Sequence, residues 1–101
     1  VPFLVTCRDV ADSAGLRAEH LPAHRRYVDE RAEQILLSGP LTDDDGVRRV
    51  GQLFVLDVPD PPAASAFIRQ DPFTRAGVFS DITIDRLELR FDGGRRLPRT
   101  D

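Results

Sequence analysis

Residues 35–58 read ILLSGPLTDDDGVRRVGQLFVLDV, and this stretch decides the fold. Two runs rich in β-formers flank a polar turn. Residues 35–41 (ILLSGPL) form a strand interrupted at Gly39-Pro40. Proline supplies no backbone donor, so the interruption implies an edge strand, a bulge or a strand end. Residues 42–46 (TDDDG) carry a strong Asp-Gly turn signal. Residues 48–58 then give a third strand, in a hairpin with the second. By alternation Leu53 and Val55 face one side, and Phe54, Leu56 and Val58 the other. Both sides are apolar at the centre of this strand, so cover is expected on both.

On the N-terminal side, residues 2–8 (PFLVTCR) form a strand with Phe3, Val5 and Cys7 on one face. Residues 9–13 are turn-like, with Asp12 or Ser13 as candidate N-caps. Residues 14–34 carry helical periodicity. Leu16, His20, Ala23, Tyr27 and Arg31 recur at spacings of three and four along one stripe, with His24 on its flank. Pro22 removes a backbone donor inside this pattern, so a single kinked helix is expected. The alternative is a restart at Pro22. That would place His24 in a first turn, where the positive dipole end favours neutral imidazole.

On the C-terminal side, Asp60-Pro61-Pro62 opens a second helix, Asp60 as N-cap and Pro61 at the first helical position. Asp71-Pro72 ends it, because a residue before proline is biased away from helix. Ala76-Gly77 is a turn. Residues 78–91 read as a long last strand whose apolar phase slips, from Ile82 and Ile84 to Leu87, Leu89 and Phe91. The slip implies a bulge near Asp85, or a strand serving two buried surfaces. Residues 92–101 (DGGRRLPRTD) are expected to be a flexible C-terminal tail beyond a single domain over residues 1–91.

The resulting order, βαββαβ, is that of an α+β fold of the ferredoxin-like kind. Two helices cover one sheet face. A second copy of the chain is the simplest cover for the other, so a homodimer is expected.

The 101 residues suffice for one modest core. The net charge of −3 offers no strong basic surface, which argues against nucleic acid as a partner. All 14 basic residues are arginine, so lysine-dependent covalent catalysis is excluded. The single cysteine, Cys7, rules out an intrachain disulfide and argues against a cysteine-based zinc site. No apolar run approaches a membrane span and no basic-then-apolar leader opens the chain. The sequence begins at Val1 without a methionine, so removal or omission of an initiator is expected. A cytoplasmic protein is expected. No dinucleotide glycine motif and no phosphate-binding loop is present, so no organic cofactor is implied.

His20 and His24 are the only histidines, and histidine is the usual general base near neutral pH. A carboxylate beside one of them would fix its tautomer, and Asp71, at the end of the second helix, is the candidate. His20 and His24 at i, i+4 also fit a metal geometry, but no further ligand cluster accompanies them, so no metal is expected. Cys7 reads as a small buried strand residue. Asp43-Asp44-Asp45 reads as a solvated hairpin turn. Each polar candidate also has a bland reading: His24 as an ordinary helix histidine, Asp71 as a helix stop, Tyr27 as a core residue.

Three segments together resemble the YciI-like, or YCII-related, family. His20-Leu-Pro-Ala-His24 is similar to its R/H-x-x-x-H pattern, and Ser38-Gly39-Pro40 to its second-strand Gly-Pro. The run from Arg69 through Asp71-Pro72-Phe73 to Ala76-Gly77-Val78-Phe79 is similar to its A-D-P-Y/F-x-x-A-G-V/L-F/Y. The similarity runs over about residues 2–91. The resemblance implies a dimeric α+β barrel with a His–Asp pair as active site, carried here by His24 and Asp71. Around that pair His20, Tyr27, Ser38, Gly39, Pro40 and Phe73 are the candidate substrate-binding residues. Phe73 stands where many members have tyrosine, so a phenol hydroxyl is missing. A few relatives are linked to aromatic degradation, including dehydrochlorination of a chlorinated hydroxyhydroquinone.

The implied function is acid–base chemistry on a small, aromatic-derived or acidic substrate: elimination, dehydrochlorination or isomerisation. Arg8 and Arg75 are the candidates for holding an acidic group. The alternative is a non-catalytic dimeric module that binds a small ligand or serves another protein. Fold analogy alone adds a cofactor-free oxygenase.

Overall fold

The structure, a computed structural model, describes residues 2–98; Val1 and residues 99–101, the end of the expected tail, lie outside the described residues. The chain runs β1 (Pro2–Asp9), α1 (Ala14–Asp29), a 3-10 turn (Ala32–Gln34), β2 (Ile35–Thr42), β3 (Arg49–Asp57) and α2 (Pro61–Gln70). It continues through a one-turn helix, α3 (Pro72–Arg75), to β4 (Phe79–Arg86). A small hairpin of β5 (Phe91–Asp92) and β6 (Arg95–Arg96) closes it. The main sheet has the order β2-β3-β1-β4, with every neighbouring pair antiparallel. This is the expected α+β fold with ferredoxin-like order.

The register explains which residues meet the helices. Phe3 lies opposite Leu56, and Val5 lies between Phe54 and Ile84. Phe3, Val5, Cys7, Phe54 and Leu56 are buried with Ala64, Phe67 and Ile68 of α2 and Tyr27 of α1. Burial of a large apolar side chain is worth about 1.5–3 kcal/mol, so this face supplies most of the driving force. On the opposite face Leu53 and Val55 are only half-buried and Leu37 is 60% exposed. The cover expected on both sides of β3 is present on one side of a single chain.

β2 is an edge strand, as Gly39-Pro40 requires, and its pairing with β3 slips between Ile35 and Leu37. Asp60 caps α2 by accepting from the Ala63 amide at 2.9 Å, with Pro61 in the first turn. α1 continues through Pro22 as one helix. Its buried stripe is Arg17, His24 and Tyr27, so His24 lies on the inward face rather than on its flank.

The last strand is shorter than expected and its irregularity lies elsewhere. β4 ends at Arg86, and the register against β1 shifts at Ser80, since Arg8 pairs with Asp81 and Asp9 with Phe79. Leu87 and Leu89 fall beyond β4, and Phe91 enters the β5–β6 hairpin instead. Gly93 and Gly94 take φ of 59° and 81° in its turn, a left-handed conformation that favours glycine.

Candidate functional site

Asp71 is placed by the same local signal that stops α2. It takes an extended conformation before Pro72, and its carboxylate caps α3 by accepting from the Phe73 amide at 2.9 Å. The side chain is fully buried and reaches across to α1. There His24 Nδ1 lies 2.9 Å from Oδ1 and 3.1 Å from Oδ2. Oδ1 already accepts from a backbone amide, so we assign the proton of this contact to Nδ1. Among the described residues Nε2 of His24 has no hydrogen-bond partner. His24 is 7% exposed, and its ring stacks on Phe73 with centroids 4.0 Å apart and planes 8° from parallel.

A second buried polar group adjoins this pair. Arg17 of α1 donates through Nε to Asp9 Oδ2 at 2.7 Å and through Nη2 to Asp9 Oδ1 at 3.0 Å. Nη2 also donates to the Gly51 carbonyl at 2.8 Å, and Nη1 reaches Gln52 Oε1 at 3.4 Å. Ser13 donates to Asp9 Oδ2 at 2.6 Å. Ser13 thus occupies the N-cap position of α1, but its hydroxyl serves Asp9 rather than the helix. Asp12, the other cap candidate, turns the chain at φ 57°, a conformation aspartate tolerates. The Arg17 guanidinium lies over Phe73 with its carbon 5.0 Å from the ring centroid, so Phe73 meets both Arg17 and His24.

Cys7 lies within reach of both carboxylates. Burial pushes its thiol up to about 12, and the charges of Asp71 and Asp9 add to this while Arg17 opposes it. It is therefore a thiol at neutral pH and no nucleophile.

A cavity of about 540 Å³ opens between the start of α1 and the β2–β3 hairpin. Asp9, Ser13, Arg17, Arg48 and Arg49 line it, whereas His24 and Asp71 do not. It adjoins the pair through Arg17. A second cavity, of about 300 Å³, lies beside Tyr27, Arg31 and Phe67.

The structure brings His24, Asp71 and Phe73 together. His20 is partly exposed and pairs with Glu19 at 2.9 Å. Tyr27 donates its hydroxyl to the Phe67 carbonyl at 2.6 Å, with Arg31 over its ring. Its phenol is raised by burial first, with Arg31 opposing. Ser38, Gly39 and Pro40 lie on edge strand β2, and no hydrogen bond joins them to the pair among the described residues. Arg8 and Arg75 are exposed. Among the described residues no group of three or more His, Cys, Asp or Glu is placed to hold a metal ion, and no helix is long and apolar enough to cross a membrane.

Sequence reasoning missed Asp9 and Arg17, although a signal for each was present. Asp9 continues the inward alternation of Phe3, Val5 and Cys7, so a carboxylate was due at an inward position. Arg17 stands seven residues before His24, two helical turns away on the same side.

No curated protein matches the chain. Among solved structures, it resembles the 5-chloro-2-hydroxyhydroquinone dehydrochlorinase TftG from Burkholderia phenoliruptrix AC1100, solved in complex with 2,5-dihydroxybenzoquinone. The TM-score is 0.79 and the identity 25%, over 87% of this chain and 94% of that one. The YCII-related domain family matches residues 1–88, a span that holds the whole four-stranded sheet, its helices and the His24–Asp71 pair; the chain belongs to the YCII-related domain family.

Proposed function

We propose that the chain is a small acid–base enzyme in which His24 moves a proton at Nε2 and Asp71 holds the imidazole through Nδ1. The observation that carries this reading is the 2.9 Å contact from Nδ1 to a fully buried carboxylate, which leaves the opposite nitrogen unpartnered among the described residues. A carboxylate on Nδ1–H fixes the tautomer with a free Nε2 lone pair and stabilises the imidazolium once a proton is taken.

The substrate class is a small acidic or polyhydroxylated ring, and the reaction an elimination or isomerisation. Likeness to a dehydrochlorinase of the same fold supports it. So does the cavity of about 540 Å³, a volume usual for small-molecule sites, which Arg48 and Arg49 line beside an Arg17 guanidinium already held by Asp9 and the Gly51 carbonyl. Loss of HCl from a chlorinated hydroxyhydroquinone needs one proton taken by a base and one chloride released, with no external oxidant. A second copy would cover the open sheet face carrying Leu37, Leu53 and Val55, so the working form is a cytoplasmic homodimer.

The test is chloride release from 5-chloro-2-hydroxyhydroquinone by the parent and by His24→Gln. The reading predicts release by the parent and a loss of about 10²–10⁴-fold in the variant. Equal rates in folded parent and variant would contradict it.

Burial favours a second reading. With His24 7% and Asp71 0% exposed, the pair also serves as a tie between α1 and α3, in a non-catalytic ligand-binding or accessory module. Tight capture of the quinol without chloride release would select that reading.

A further inference from the structure

Phe73 touches both members of the His24–Asp71 pair. Its amide donates to Asp71 Oδ1 at 2.9 Å, and its ring lies 4.0 Å from the imidazole in a parallel stack. The carboxylate and the imidazole therefore take their orientations partly from this one residue. Phe73 in turn meets Arg17, whose guanidinium carbon is 5.0 Å from the ring centroid.

Arg17 is unusual among the described arginines, being 8% exposed and bonded to two strands. Asp9 of β1 accepts from Nε and Nη2, and the Gly51 carbonyl and Gln52 of β3 accept from Nη2 and Nη1. The planar guanidinium is thus held in one place by a rigid fork. A plain apolar side chain could touch Phe73, but it could not tie that contact to β1 and β3. Arg17 also sits seven residues before His24, so both project from one side of α1 toward the same aromatic ring.

We propose that Arg17 is a positioning residue for the His24–Asp71 pair, acting through Phe73. It fixes the plane of the Phe73 ring against the sheet, and that ring fixes the imidazole on which Asp71 closes. The role rests on the acid–base reading of the pair, but its structural half is measurable without substrate.

The experiment compares the parent, Arg17→Met and an exposed control on the same helix, Arg25→Met. One readout is the NMR signal of the His24 ring protons, which a parallel aromatic ring displaces upfield. The other is kcat and KM for chloride release from 5-chloro-2-hydroxyhydroquinone. Arg17→Met should lose the displacement and lower kcat by about 10–100-fold with KM little changed, as expected for a misplaced catalytic group. Arg25→Met should match the parent in both. Parent-like His24 ring signals in folded Arg17→Met would overturn the proposal, and so would loss of the upfield displacement with unchanged kcat. If Arg17→Met does not fold, Asp9→Asn keeps the guanidinium and weakens its anchor, and is judged by the same outcomes. A parent without turnover would refute the acid–base reading. The ring signals would then still decide whether Arg17 positions the pair.

Discussion

His24 and Asp71 come from different helices, 47 residues apart in the chain, and close to 2.9 Å between Nδ1 and Oδ1 with the carboxylate fully buried. Three features of local chemistry make this possible. Pro72 holds Asp71 out of helix, the Phe73 amide engages one carboxylate oxygen, and the Phe73 ring fixes the plane of the imidazole.

Removing the carboxylate should therefore do more than delete one bond. Asp71→Ala strips α3 of its cap and leaves His24 buried without its partner. A buried donor left without its acceptor costs about 1–3 kcal/mol, and loss of the cap adds about 1 kcal/mol. Asp71→Asn keeps an oxygen for the Phe73 amide and should cost less. Urea unfolding of both variants checks the order; equal midpoints for Asp71→Ala and the parent would refute it.

Gly51 is required by close approach rather than by conformation. A Cβ there would run into the Cys7 carbonyl, and the Gly51 carbonyl serves Arg17. Gly51→Ala should push β3 from β1 and cost about 1–3 kcal/mol, as overpacked sites do. A melting temperature equal to the parent's would show that the strands give way freely.

The Cys7 thiol is held up to about 12 against an ordinary 9.0, first by burial and then by two carboxylates. Its folded form therefore binds the proton more tightly than its unfolded form. Stability from this source is intact below about pH 9 and is lost as pH rises from about 9 toward 12. The native thiol should resist alkylation at pH 8 until urea unfolds the chain. Fast labelling of the native protein would contradict its burial.

Tyr27 secures α1 to α2 through its hydroxyl on the Phe67 carbonyl at 2.6 Å. Tyr27→Phe should lower stability by about 0.5–1.5 kcal/mol, the usual net worth of such a bond. Thermal unfolding of that variant reads it directly.

The frame was legible because its signals are local. Asp60 before Pro61, Asp71 before Pro72 and Gly39-Pro40 on an edge each fix a boundary through backbone chemistry alone. The long last strand was misread because Leu87, Leu89 and Phe91 keep β-like alternation while the backbone leaves the sheet after Arg86. The inward face of α1 was misplaced because hydropathy assigns arginine to solvent. Arg17 is inside because Asp9, eight residues earlier at the end of β1, accepts from its guanidinium through both carboxylate oxygens and neutralises it. Such compensation depends on a contact between elements, and periodicity within one element cannot report it. The resemblance pointed to His24 and Asp71, and the packing around Phe73 explains how two such distant residues meet.

The most direct test of the central claim is ¹⁵N NMR of the His24 ring in the neutral form of the protein. The account predicts Nδ1 protonated and Nε2 bare, with that preference lost in Asp71→Asn. A neutral ring protonated at Nε2 in the parent would leave no free lone pair there to act as a base, and would contradict the proposed chemistry.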